Sequence, residues 1–243
     1  MLLPTEKIYN KPLNRLPSGK LLISTLNAHC YNMAKTDLLY KIALLNSDVI
    51  IPDGIGIVWA FKLLTGKKIK KIAGADLFYY EMNRLQQIGG KCFFLGSYDT
   101  TLNKIKIRVT RDYPHIIVQT YSPPYKTEFS SEDNSSMLAA INTFKPDVLL
   151  VGMTAPKQEK WAYQNYNRLQ AEHICCIGAV FDFYAGTINR APQWIIEIGM
   201  EWLYRMIKEP RRMWRRYLAG NIVFILHIIR EKLKAKQLLF SKL

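Results

Sequence analysis

Six short apolar runs, separated by longer stretches of helical character, constrain the fold of this chain more than any other feature. The runs fall at residues 21–25, 49–52, 91–96, 116–120, 147–152 and 174–180, and most are apolar throughout rather than alternating. A strand that is apolar on both faces has to be covered on both faces, which is the situation of a mainly parallel sheet between layers of helix. Most intervals between the runs are long enough for the crossover helix that parallel pairing requires. The expected architecture is α/β. With 243 residues, 49% hydrophobic and 12% aromatic, the chain can bury a large core and does not read as disordered.

The texture changes near residue 199. A segment rich in Trp, Tyr, Met and Arg leads to an apolar stretch at 222–229 and then to EKLKAKQ. We divide the chain into a core at 1–198 and a helical C-terminal appendage at 199–243. Glu209-Pro210 should interrupt the first appendage helix, with Pro210 opening the next at its first position. The chain carries 34 Lys and Arg against 19 Asp and Glu, a formal charge of +15, and residues 201–243 alone hold eleven basic residues against three acidic ones. An anionic partner is expected. No apolar run reaches the roughly 18–20 residues of a membrane span. The appendage instead has the pattern of an interfacial helix, and a helix packed on the core is the alternative. Residues 1–15 carry two prolines and mixed charge where a signal peptide needs a continuous apolar segment, so export is not expected. The four cysteines have no metal or disulfide spacing and read as reduced core residues.

Candidate chemistry gathers where runs end. Asp53 follows the run at 49–52 and precedes Gly54-Ile55-Gly56, which places it at the carboxyl end of a strand, the ligand-binding edge of open α/β sheets. A partly buried carboxylate there can serve as a general base, and capping of the next helix is the alternative. Thr25, Asn27 and His29 end another run with groups suited to a polyhydroxy substrate, or simply to a turn. Gln158 opens a helix after the run at 147–152. Lys67, Lys68, Lys70 and Lys71 surround a loop, as a solvated face or with one member turned to a phosphate, and Arg211, Arg212, Arg215 and Arg216 form a basic quartet suited to a diphosphate or to an acidic lipid. The polar segment 122–136 reads as a loop, either a cleft rim or a solvated connection, before a helix at 137–144. The chain has no G-x-G-x-x-G, no P-loop and no D-x-D metal pair, so arginine is the available source of charge stabilisation.

Seven ordered blocks together resemble the WecG/TagA/CpsF glycosyltransferase family: TLNAH (25–29), PDGIGIVW (52–59), AGADL (73–77), PKQEKW (156–161), FDFYAG (181–186), RAPQW (190–194) and EWLYRMIKEPRRMWRRY (201–217). The resemblance implies a Rossmann-like core of the GT-E type and a C-terminal appendage that completes the site at the membrane. It implies an inverting, metal-independent transfer without a cofactor. The sugar would be of the N-acetylmannosamine type, moved from UDP to an undecaprenyl-diphosphate-linked sugar such as N-acetylglucosamine, for teichoic acid, common antigen or capsule.

By motif match, Asp53 corresponds to the proposed general base, Thr25, Asn27 and Gln158 to polar pocket residues, and Arg205, Arg212 and Arg215 to the arginines that stabilise the leaving diphosphate. Lys71 stands where the family often has arginine, keeping the charge without the fork geometry. The implied partners are a UDP-sugar donor, a lipid-linked sugar acceptor and the cytoplasmic face of a bacterial membrane, met through residues 199–243. A homo-oligomer through the same apolar surface is left open. Two other classes fit parts of the sequence. A nucleic-acid-binding protein would explain the charge but shows no recognised module, so no nucleic-acid partner is expected. A non-catalytic peripheral membrane scaffold would not need Asp53, Thr25, Asn27 and Gln158 intact.

Overall fold

The structure, a computed structural model, describes residues 3–240; the side chains of Arg212, Lys236 and residues 238–240 lie outside that description. Its centre is a sheet of six strands, β1 (Leu21–Leu26), β2 (Val49–Pro52), β3 (Lys91–Gly96), β4 (Ile117–Tyr121), β5 (Val148–Gly152) and β6 (His173–Cys176), in the order β2-β1-β6-β5-β3-β4. Every pairing is parallel. Successive side chains of these strands enter opposite layers: Cys92 and Phe94 join one core cluster, while Phe93 and Leu95 join another. This two-sided burial explains why the strands read as apolar runs.

Helices α4 (Gly74–Ile88), α5 (Asp99–Asp112) and α8 (Val180–Ala185) cover one face. The other face is covered by α6 (Ser131–Phe144) and α7 (Lys157–Asn165) around Leu149 and Val151. Beside them, α1 (Ala28–Thr36), α2 (Leu38–Leu45) and α3 (Ile55–Thr65) pack on Leu26 and Ile50. All four cysteines are free and buried.

Two boundaries differ from the sequence reading by more than one residue. The run at 174–180 is a strand only to Cys176; Gly178, at φ +54°, turns the chain, and Val180 already belongs to α8. The segment 122–136 is a loop only to Phe129, because Ser130 caps a helix that begins at Ser131. The Ser130 Oγ accepts from the Asp133 N–H at 3.2 Å, and the Asp133 carboxylate accepts from the Ser130 N–H at 2.9 Å. This reciprocal box is what the polar composition concealed.

After α9 (Gln193–Glu197) come α10 (Glu201–Lys208), α11 (Pro210–Trp214), a π turn at Arg215–Ala219 and α12 (Gly220–Phe240). The break at Glu209 with Pro210 at the first helical position is as expected. Helix α12 lies on α1 and α3 through Phe224 and Ile228, which are buried against Tyr31 and Ile57. Its Glu231 is also buried, accepting from the Tyr31 hydroxyl and, at 3.1 Å, from the Leu3 N–H. The helix thus has an inner stripe at i, i+4 and i+7. Among the described residues, no helix is long and apolar enough to cross a membrane.

At the carboxyl ends of β3 and β5 the backbones meet without side chains between them. A Cβ on Gly152 would lie 2.6 Å from the Phe181 ring, so α8 can press onto the end of β5 only if residue 152 is glycine. Gly152→Ala is therefore expected to destabilise the protein by about 1–3 kcal/mol, the usual cost of overpacking. Urea unfolding measures it, and an unchanged midpoint would contradict this packing.

Candidate active site

The carboxyl ends of β1, β5 and β6 open into one cleft of about 2070 Å³, whose walls also include the loop at 122–129, α10 and the π turn. A pocket for one small ligand usually occupies about 300–1,000 Å³, so this volume has room for two substrates side by side. The loop at 122–129 is thus part of the cleft wall. It is braced by the Ser122 hydroxyl donating to the Ser97 carbonyl at 2.9 Å and by Tyr125 stacking on Tyr98.

Asp53 stands at the floor, directly after β2. Register brings it beside the end of β1, because Leu26 pairs with Pro52 and the Asp53 N–H donates to the Leu26 carbonyl at 2.9 Å. Burial pushes the Asp53 carboxyl up from its ordinary value of 3.8 to about 6; Glu201 pushes the same way, while Lys71, Arg216 and Arg190 pull it back. A carboxylate at about 6 is ionised at neutral pH yet a far better proton acceptor than an exposed Asp. The helix-cap alternative does not apply: Gly54, at φ +111°, occupies the cap position of α3 and leaves the Asp53 side chain to the cleft.

Thr25 is buried at the end of β1 and lines the cleft. Asn27 lines it too, but its Oδ1 is committed to capping α1, accepting from the Cys30 N–H at 3.0 Å. The turn-forming role and a place in the cleft therefore coexist in one side chain. The imidazole of His29 is held down to about 4 by burial and by Arg216, so it is neutral at physiological pH. Lys71 reaches across to the Ile196 carbonyl at 3.3 Å, tying the loop before α4 to α9.

Gln158 and Glu159 open α7 with both side chains buried. The Gln158 amide donates to Glu159 at 2.9 Å, leaving Gln158 Oε1 without a partner where the residue meets the cleft. In that contact the amide N–H donates and the Glu159 oxygen accepts. Burial pushes the Glu159 carboxyl up to about 7.

Arg205 and Arg215 also line the cleft, with Arg205 resting over the Phe183 ring. Arg212 belongs to α11, and its side chain lies outside the described residues. The π turn inserts itself between α11 and α12, so the i,i+4 phase read for the basic quartet does not run straight through it. Two further charged residues in the cleft, Arg190 and Glu201, are not among the sequence-derived candidates, and Arg216 joins them there. The first two open the blocks RAPQW and EWLYR, and Arg216 sits in the basic quartet. Only the fold shows that these face Asp53. Among the described residues no three His, Cys, Asp or Glu side chains converge as a metal site.

Residues 3–238 match the profile described as the Glycosyl transferase WecG/TagA/CpsF family. A Bacillus subtilis protein named N-acetylglucosaminyldiphosphoundecaprenol N-acetyl-beta-D-mannosaminyltransferase is 31% identical over 82% of this chain and 75% of its own length. A protein of the same name from Bacillus spizizenii is 33% identical over 74% of this chain and 68% of its own. Another, from Staphylococcus aureus, is 26% identical over 90% and 84%.

The charge arrangement is directly measurable. The Asp53 carboxyl, followed by carbon-13 NMR, is expected to titrate with a midpoint near 6, and Lys71→Met should move that midpoint higher by removing a cation that holds it down. A midpoint at the ordinary Asp value in both proteins would show that the cleft does not desolvate this group.

Proposed function

Because the chain belongs to the WecG/TagA/CpsF glycosyltransferase family, and is a glycosyltransferase, we propose that it transfers an N-acetylmannosamine-type sugar from UDP to an undecaprenyl-diphosphate-linked N-acetylglucosamine. The observation that carries the assignment of roles is Asp53, held at about 6 on the floor of a two-substrate cleft and faced by Lys71, Arg190 and Arg216. In this reading the acceptor hydroxyl gives its proton to Asp53 as its oxygen attacks the anomeric carbon. The bond from that carbon to the diphosphate breaks on the opposite side, which inverts the centre, and UDP leaves with the electron pair. Thr25, Asn27 and Gln158 contact the sugars. Lys71, Arg205, Arg212 and Arg215 balance the charge that gathers on the diphosphate, an electrostatic role that needs no metal.

The lipid-linked acceptor gives a reason for the outer face of α12. Opposite its buried stripe, Ile222, Leu226, Ile229 and Leu233 are exposed, and Arg230, Lys232 and Lys234 accompany them. Apolar groups in the acyl boundary with amines at anionic head groups is the arrangement of an interfacial helix. We therefore assign residues 199–243 to an appendage that docks the enzyme on the cytoplasmic face of the membrane and closes the site over the substrates.

Two measurements test this reading. UDP release from UDP-N-acetylmannosamine should depend on a lipid-diphosphate-linked N-acetylglucosamine analogue, and Asp53→Asn should lower it by about 10²–10⁴-fold, the usual range for a general base. Full activity in Asp53→Asn would overturn the mechanism. Co-sedimentation with phosphatidylglycerol vesicles should be lost in Leu226→Glu with folding unchanged; retained vesicle binding would refute the docking face. Concentration-dependent self-association abolished by the same substitution would assign that face to a second copy instead.

A further inference from the structure

Two of the sequence blocks begin with residues that the reading above leaves without a role. Arg190 lies in the loop before α9 and Glu201 opens α10. The Arg190 Nε stands 3.6 Å from the Glu201 Oε1, both side chains are 23% exposed, and both line the cleft that holds Asp53. That separation is an ion pair but too long for a hydrogen bond. The Arg190 Nε is buried and takes no hydrogen bond, as are the Nε groups of Arg205 and Arg216 in the same cleft. A buried guanidinium donor without an acceptor is unfavourable until an acceptor arrives. A diphosphate, with several anionic oxygens matched to the guanidinium fork, is such an acceptor.

Glu201 cannot itself bind a diphosphate, because like charges repel. Its presence among arginines calls for another explanation, and the partner it faces supplies one. We propose that Arg190 binds the diphosphate of the nucleotide-sugar donor beside Asp53, and that Glu201 is the positioning residue that holds Arg190 within reach of it. The inference rests on the reading of the cleft as a nucleotide-sugar site.

The charged groups facing Asp53 make the two substitutions distinguishable. They are Glu201 from α10, Lys71 from the loop before α4, Arg216 from the π turn and Arg190 from the loop before α9. Glu201 raises the proton affinity of Asp53 and the three cations lower it. Glu201→Gln should therefore move the acid limb of the transfer profile to lower pH, and Arg190→Gln should move it to higher pH.

The experiment combines UDP binding by calorimetry, donor KM, the pH profile of transfer and the thermal midpoint, for the native protein, Arg190→Gln, Arg190→Lys and Glu201→Gln. Arg190→Gln is expected to weaken UDP binding on the order of 10- to 100-fold, with partial recovery in Arg190→Lys. Glu201→Gln, which preserves side-chain shape and so keeps the test valid where Arg190→Gln lowers the thermal midpoint, should raise donor KM and shift the acid limb oppositely. Native-like UDP binding by Arg190→Gln would overturn the proposal, as would an unmoved KM and acid limb in Glu201→Gln. A native protein that binds no UDP would overturn the donor reading and this inference with it, so the two failures are told apart.

Discussion

The Asp53 N–H donates to the Leu26 carbonyl, and this hydrogen bond extends the β1–β2 ladder one residue past the end of β2. Everything in the site depends on that extension. It fixes the backbone of Asp53 against the first turn of α1, so the carboxylate, Thr25 and Asn27 share one floor. It works because β1 and β2 run parallel and end together, which is itself the consequence of a sheet whose strands are buried on both faces. Gly54 then takes the chain away at a φ that other residues reach only with strain, and α3 begins without using Asp53 as its cap.

A carboxylate on such a floor is desolvated, and desolvation alone would favour its protonated form. The cations of the cleft oppose this, and they come from widely separated parts of the chain: Lys71 before α4, Arg190 before α9 and Arg216 in the π turn. The C-terminal helices are for that reason electrostatically part of the site as well as packed on it. Phe224 and Ile228 fill the groove between α1 and α3, Asn32 donates to the Gly220 carbonyl at 2.7 Å, and Glu231 ties the helix to Tyr31 and Leu3. The same helix that carries the exposed apolar face is therefore anchored to the layer bearing Asn27 and His29.

Much of this was legible in the sequence because the governing patterns are local. Buried parallel strands leave uninterrupted apolar runs, Pro210 marks a helix start, and Asp53 after Val49–Pro52 reads as a residue at a strand end. Where local pattern misled, a short-range interaction had outweighed composition: the Ser130–Asp133 box began α6 inside a polar stretch, and Gly178 ended β6 inside an apolar one. What could not be read was the convergence of distant charges. Nothing near Arg190 or Glu201 indicates that the two face each other or Asp53, since that proximity is created by the packing of α9 and α10 over the end of the sheet. Likewise the insertion of a π turn after Trp214 changes which arginines share a face, a phase shift that residue spacing does not carry.

The central claim is that Asp53 works as an ionised base whose proton affinity has been raised by burial. The pH dependence of kcat/KM for acceptor-dependent transfer by the native enzyme tests it most directly. The account predicts a single ionisation near pH 6, with activity present above it and lost tenfold per pH unit below it, as the carboxylate is protonated. A rate that stays level from pH 5 to 8, or that rises as the pH falls through 6, would contradict it.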